Sequence, residues 1–574
     1  MTHILSETTK AAPAPEREGF RQAMAWLHTW AGLVLGWLLF AIFLTGTLSF
    51  FKEEISTWAR PEWFGLPTPA TAPAQWAPWA ERAQQALLRA HPDATQWSLR
   101  LPDERHPTAS MLWRGSGPGR FETLHMHPVT GEILAARDTM GGDFFYRFHF
   151  ELRTAAKGRW VVEGRWIVGV ATFAMLVALL TGVVTHRRIF KDFFTFRPGK
   201  GGQRAWLDAH NVSGVLALPF YLVITFSGLM IFHSLYMPAG IQAVYRTGTG
   251  VDTSRYFAHL QGETPDNSRR RRAGEATPPL PAVPVASIVA LALREWEGGR
   301  IAAIQVRRNA QGQPLVELVR HEGDRLQYRP ERLLFDGTTG QRLQALDTPT
   351  PALKTYGVLV GLHMARFAEP GLRWALFALG LLGTAMIATG LLLWSVKRAS
   401  QARRKQAAAP LPLGQRIVAR LNVAAIGGLP LACAAFLLGN RLLPGGLEQR
   451  ADAELGWFFA TWGLALAWAC VRVEHQGRWG DAVQRWPGGW CGIWAANALA
   501  WLAVPVVNAT TTGAHLGMSI SQGQWGWASV DLACIATGLT ATALAWRLRP
   551  RPRVQPAMPQ PPVASAASAV PAKG

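Results

Sequence analysis

Charge and cysteine are both scarce in this chain. Of its 574 residues only 17% are Asp, Glu, Lys or Arg, against about 25% in soluble proteins, which excludes one all-soluble polypeptide. Cysteine numbers 4. Cys433, Cys470, Cys491 and Cys534 all lie in apolar stretches without a CxxC pair, which excludes a disulfide framework and a cysteine-type zinc site. No G-x-G-x-x-G follows a strand pattern, so no nucleotide site is read. Short apolar repeats are missing as well, and with them collagen-like, coiled-coil and disordered classes.

Apolar residues instead make up 49% of the chain and come in long blocks. A hydrocarbon core needs roughly 20 consecutive apolar residues as helix. No charged side chain occurs between Arg21 and Lys52, and comparable runs are Trp166–Thr185, Asn211–Phe232, Trp374–Val396, Leu421–Asn440, Leu455–Val471, Trp490–Val507 and Trp527–Trp546. Eight membrane helices are therefore expected. The first lacks a small-residue cleavage site after a short apolar region and reads as a retained signal-anchor.

The net charge of +21 sits mostly in alternate connections. Arg187, Arg188, Lys191, Arg197, Lys200 and Arg204 follow the second run, Lys397, Arg398, Arg403, Arg404 and Lys405 follow the fourth, and Arg547, Arg549, Arg551 and Arg553 follow the eighth. By the positive-inside rule these face the cytoplasm, together with both termini. The charge is a topological signal, so no nucleic-acid partner is inferred; the lipid bilayer is the first partner.

The expected division is a tail at 1–22, a span at 23–51, an outer segment at 52–165, a span at 166–185, a basic loop at 186–209, a span at 210–233, an outer segment at 234–371, a span at 372–396, a basic linker at 397–420, a four-helix bundle at 421–546 and a Pro/Ala-rich tail at 547–574. Each outer segment pairs an amphipathic helical stretch with alternating strand-like runs, as in a small α+β module. The turns HPVTGEIL (127–134) and DGTTGQRL (336–343) place Gly131 and Gly340 where a hairpin favours positive φ.

The two halves also match each other. His28 precedes Thr45-Gly46 by 17 residues, as His210 precedes Ser227-Gly228, and Thr181-Gly182 aligns with Thr389-Gly390. A histidine stands before each of the second and fourth spans, His149 and His363. Residues 20–195 and 205–398 thus read as two copies of helix, module, helix, with the glycines suited to close helix approach.

Six histidines lie at membrane edges: His28, His186 and His210 at one face, and His149, His233 and His363 at the other. His210 and His233 are about 34 Å apart along a helix, so two separate centres are expected. Imidazole suits a proton relay, a small-metal ligand or a haem axial ligand. Acids are absent from the first four spans, which disfavours relays and carboxylate-bearing metal sites. Haem needs only two facing imidazoles in an apolar, aromatic slot, for which Trp26, Trp30, Phe40, Phe43, Phe220, Tyr221, Phe226 and Trp374 are available. The duplication would bring His28 towards His210 and His149 towards His363. His186 and His233 have no counterpart, since Trp394 and Phe51 occupy those places, and either could replace a symmetric ligand. Interfacial histidines acting as polar anchors are the plain alternative.

The run LHTWAGLVLGWLLFAIFLTGTL (27–48), the TG-bearing ends of the next spans, the LH at 362–363 and the two modules resemble the PepSY-associated transmembrane proteins, also called iron-regulated membrane proteins. The resemblance spans roughly residues 20–400. It implies a bacterial inner-membrane protein with two periplasmic PepSY modules. Some members are dihaem reductases that take iron from ferric siderophores, which here implies two non-covalent haem b groups on His28, His210, His149 and His363. The electron donor would be a quinol or a separate cytoplasmic reductase. A non-enzymatic scaffold or regulator of a periplasmic partner, or a transporter, are the rival readings. Against transport, no span shows paired Gly/Pro at mid-depth, so all are expected to be unbroken.

Overall fold

The computed structural model describes residues 19–67, 73–115, 122–152, 163–186, 202–248, 250–260, 283–297, 299–308, 312–328, 330–345, 351–404, 412–474 and 488–549. Most of the basic loop after the second span, the tetrad Arg269–Arg272, His475 and both chain ends lie outside them.

In chain order the described elements begin with helices α1 (Phe20–Ser49), α2 (Lys52–Trp58) and α3 (Pro73–Ala90) and strands β1 (Ala94–Arg100), β2 (Ala109–Gly115), β3 (Glu122–Met126) and β4 (Ile133–Leu134). Then come α4 (Gly142–Glu151), α5 (Gly164–Thr185), α6 (Gly202–Leu216), α7 (Leu218–Ile231), the short helices α8 (His233–Tyr236) and α9 (Ala239–Tyr245), the hairpin β5 (Arg246–Thr247) and β6 (Gly250–Val251), and α10 (Thr253–Leu260). The second half continues with α11 (Val285–Glu295), β7 (Ile301–Arg308), β8 (Pro314–Arg320), β9 (Arg332–Asp336), β10 (Arg342–Ala345), α12 (Pro351–Met364) and α13 (Pro370–Arg404). The remainder is α14 (Leu413–Leu442), α15 (Arg450–Glu474), α16 (Gly488–Thr511), α17 (Leu516–Ser521) and α18 (Trp525–Arg547).

Seven of these, α1, α5, α13, α14, α15, α16 and α18, are long and apolar enough to cross a membrane, and the chain is a multi-pass membrane protein. The expected third span is different. It is the pair α6 and α7, bent by 67°, which corrects the expectation of unbroken spans. Pro219 supplies no N–H to the preceding turn and its ring crowds the carbonyl four residues back. The buried Tyr221 hydroxyl compensates by donating to the Ser213 carbonyl at 3.0 Å.

The strands of the two outer segments, four from each, do not form separate sheets. They join in one eight-stranded antiparallel sheet of order β10-β9-β8-β7-β1-β2-β3-β4. The seam is β1 against β7, pairing Leu99 with Ile304 and Trp97 with Val306, all buried. Alternation of period two sends these side chains to the face covered by α3 and α11. Each half carries its turn at the same place. Gly131 (φ +77°) and Gly340 (φ +73°) close the β3–β4 and β9–β10 connections in the left-handed conformation. His127 Nδ1 and Asp336 Oδ1 accept the turn amides at equivalent positions. That explains His127 as a turn cap.

Helices α14, α15, α16 and α18 form the appended bundle. It docks on the first half through buried polar groups. Trp58 Nε1 donates to Asp531 at 3.0 Å, Asn508 bonds both Asp531 and Arg441, and the Arg441 guanidinium lies 3.6 Å over the Trp58 ring. Beside them Glu454 receives Thr139 and Asn440 and pairs with Arg450, with both charged residues 0% exposed. Deeper in the bundle, α14 contains a π-helical stretch, Val423–Gly428. Trp462 and Asn497 donate to its Ala424 and Gly427 carbonyls at 3.0 and 2.8 Å, and Trp37 of α1 donates to Asn422 at 2.8 Å just before it. The irregular turn is thus held by side chains from three helices.

Candidate histidine-pair sites

His28 on α1 faces His210 on α6, with ring centroids 6.2 Å apart. His149 on α4 faces His363 on α12 at 6.1 Å. A metal held between two imidazole nitrogens, about 2 Å from each, puts ring centres roughly 6 Å apart. The two pairs sit at opposite ends of α1. Gly46, against which His149 packs, lies 18 residues beyond His28 on that helix, or about 27 Å.

All four rings are held by the same device. Nδ1 of His28, His149, His210 and His363 lies 2.8, 2.8, 2.9 and 3.0 Å from the carbonyls of Ala178, Ile42, Met386 and Ile224. A carbonyl only accepts, so Nδ1 carries the proton and Nε2 keeps its lone pair. Among the described residues no hydrogen bond is made to any of these Nε2 atoms. Three residues after each carbonyl stands a hydroxyl, Thr181, Thr45, Thr389 or Ser227, bonded back to the same turn. One residue further is the glycine. A Cβ on Gly46 would come within 2.6 Å of His149 Nδ1, and Cβ atoms on Gly182, Gly228 and Gly390 would meet His28, His363 and His210 at 3.2, 3.0 and 3.0 Å. The TG and SG pairs, expected to serve helix–helix approach, are cradles for imidazole. Each histidine is oriented by a helix other than its own, which is how ligand shells of metal-binding histidines are built.

His186 ends α5 as its C-cap residue and lies beside the His28/His210 pair, near enough to act electrostatically on both rings. His233 has both nitrogens engaged, Nδ1 with the Met230 carbonyl at 2.9 Å and Nε2 with the Tyr256 hydroxyl. In this arrangement His233 bonds Met230 and Tyr256 rather than facing another imidazole. Of the aromatic residues expected to line slots, Phe43, Phe220 and Trp374 border the His149/His363 cavity. Phe40 and Tyr221 are core residues, while Trp26, Trp30 and Phe226 are exposed.

The cavity at the sheet end has a volume of about 1750 Å³ and includes His149, His363, Gly46 and Gly228 in its wall. Its upper part is polar, built where the sheet meets α2 and α13. Asp103, between β1 and β2, bonds His106 Nδ1 at 2.8 Å and His321 Nε2 at 3.3 Å, and His106 Nε2 lies 3.1 Å from Glu53 of α2. Arg105 forks onto Glu54 at 2.9 and 2.8 Å, and Arg373 of α13 reaches the same carboxylate at 3.1 Å. This clasp joins both sheet halves to the membrane helices. It escaped sequence reading because its members are far apart in the chain and carry no spacing motif.

Burial disfavours charge on these groups, but the hydrogen bonds overcome it. His106, bonded to Asp103 and Glu53, is raised above its usual range, while Asp103 and Glu53 are held below theirs. A raised histidine contributes stability that is present below its ordinary pKa and lost as pH rises through the folded value. Raising the pH from 6 to above 8 is therefore expected to loosen the clasp. Amide-exchange protection in 100–106, corrected for the intrinsic base-catalysed rise, should fall, and His106→Gln should flatten that fall; an equal fall in the variant assigns it elsewhere.

Each pair offers two imidazoles, fewer protein ligands than structural or catalytic zinc takes and the number that a porphyrin-bound iron takes. The fold and these sites define a class: multi-pass helical membrane proteins with opposed histidine pairs at the two ends of one helix bundle, capped by a shared sheet. The chain belongs to the PepSY-associated TM region family, whose model matches residues 25–397. It is also similar to an uncharacterised protein of Pseudomonas aeruginosa (strain PAO1), 26% identical over 419 residues, covering 69% of this chain and 93% of that protein.

Proposed function

We propose that this protein is a dihaem b electron conduit of the bacterial inner membrane, reducing ferric iron in a bound chelate, such as a ferric siderophore, on the periplasmic side for iron uptake. The observation that carries the reading is the two facing imidazole pairs, each ring with Nδ1 tied to a carbonyl and with Nε2 free of hydrogen bonds among the described residues. In this reading the chain is a tandem repeat of helix, PepSY module and helix, with both termini cytoplasmic and the sheet periplasmic. The fourfold recurrence of carbonyl, hydroxyl, glycine and imidazole supports the duplication.

A haem on each pair would supply one-electron chemistry at a potential set by its bis-imidazole ligation and apolar surroundings. The protein's own work is to hold the four rings at ligand distance, keep the sites within the bundle and open one of them to a cavity reachable from the sheet end. That cavity exceeds the about 300–1000 Å³ of ordinary ligand pockets, so it has room for more than one occupant. Fe(III) prefers hard oxygen chelators far more than Fe(II) does, so one electron frees the metal without breaking the chelate.

Protein purified in mild detergent is expected to be coloured, with two haem b per chain and a split reduced-minus-oxidised band, and to turn a ferric hydroxamate or catecholate chelate into Fe(II) when reduced. A colourless preparation that binds added haem poorly would instead favour the scaffold or regulator. The bend between α6 and α7 is the one feature favouring transport. Transport would show as chelate uptake into vesicles without reduction. Gly46→Val should displace His149 and lose the sheet-end haem alone, and Gly182→Val the opposite one, read as half the haem content with a single remaining band.

A further inference from the structure

We propose that an apolar crevice between α1, α13 and α18 holds an isoprenoid quinol, and that this membrane-borne reductant is the electron donor at the His149/His363 end. The inference rests on the function proposed above.

The crevice is the lower lobe of the cavity that contains His149 and His363. One wall is a single face of α18, where Ser529, Ala533, Ala536, Thr540 and Leu544 recur at helical spacing. From first to last they span about 22 Å, most of a hydrocarbon core. Most are small, so α18, which packs on α16 and α2, leaves a slot open towards α1 and α13. Thr47 of α1 and Phe377 and Gly380 of α13 form the opposite wall.

The slot opens sideways. Trp374, Leu381 and Leu532 line it and are 46%, 43% and 43% exposed, on helices whose outer surface meets lipid. A long apolar molecule can thus enter from the bilayer, while a water-soluble chelate enters from the polar lobe under the sheet. The histidine pair borders the same space. At the crevice wall Trp501 is 8% exposed and its indole N–H has no acceptor among the described residues, which leaves a buried donor unsatisfied. A quinone carbonyl in the crevice would offer one. A phospholipid acyl chain would account for an apolar slot, but not for its continuity with the imidazole pair.

The electron count agrees. A quinol gives up two electrons and two protons as its two O–H bonds break and it becomes quinone. Two Fe(III) ions take one electron each and become Fe(II). The two protons leave to water through the polar lobe, whose wall includes Glu53, Asp103 and His106.

The test uses full-length protein purified with its native lipids, extracted into organic solvent and assayed for quinone. About one quinone per chain is expected. Ala536→Trp and Thr540→Trp, which fill the slot, should each lower it at least tenfold, with haem content and the dithionite-reduced spectrum unchanged. Decylubiquinol, as soluble probe, should reduce the wild type at least tenfold faster than either variant. Unaltered quinone in both variants, or phospholipid in place of quinone in the wild type, overturns the proposal. Colour without quinone sinks this inference and spares the dihaem reading; quinone without colour keeps the occupant and removes its role as donor.

Discussion

On the dihaem reading, replacing His210 with alanine removes one haem and leaves the other in place. His210 and His28 hold their ring centres 6.2 Å apart, and alanine vacates one side of that gap. His210→Ala removes one of the two imidazoles that would hold that haem and opens the cradle around it, so haem content should fall from about two towards one per chain, with loss of one component of the split band. The other pair lies about 27 Å away along α1 and acts as an internal control. His363→Ala should remove the opposite component. Added imidazole should restore a six-coordinate spectrum in whatever haem His210→Ala retains, which a merely misfolded variant would not show. Unchanged haem content in His210→Ala would end the assignment of this pair as ligands.

Breaking the charged contact under the appended bundle should produce the largest loss of stability. Glu454 and Arg450 are both 0% exposed and paired, and Glu454 also receives Thr139 of the first half and Asn440 of α14. Glu454→Leu leaves a buried guanidinium uncompensated, a change worth about 3–5 kcal/mol. A buried pair replaced as a whole by apolar residues is often neutral or better. The double variant Arg450→Met, Glu454→Leu should therefore melt well above the single one. The first half should keep its histidine geometry in both, read as unchanged haem content. A Glu454→Leu protein melting with the wild type would show that the bundle is held by apolar packing alone.

Much of the architecture was legible in the chain. Long uncharged runs can only be membrane helices or buried core, and seven of the eight expected spans are single helices of suitable length and polarity. The third was misjudged because one proline inside an apolar run alters no hydropathy average, yet it removes a backbone donor and bends the helix. The outer segments were read as two modules because strand periodicity is local. That β1 pairs with β7 across about two hundred intervening residues is decided by edge complementarity, which no window of sequence contains. The role of the TG pairs was misassigned for the same reason, since a glycine in an apolar helix signals close approach without saying of what.

Sequence alone determined that this chain enters the membrane repeatedly and that histidines and TG or SG pairs recur at matching spacings, because hydropathy and spacing are properties of the covalent chain. Only the tertiary structure decided which imidazoles face each other, and that a polar clasp and an apolar crevice share one cavity. Those facts depend on side chains contributed by different helices. Their distances are set by how the helices pack and bend, and one glycine or one proline shifts such packing without changing the pattern from which a span is read.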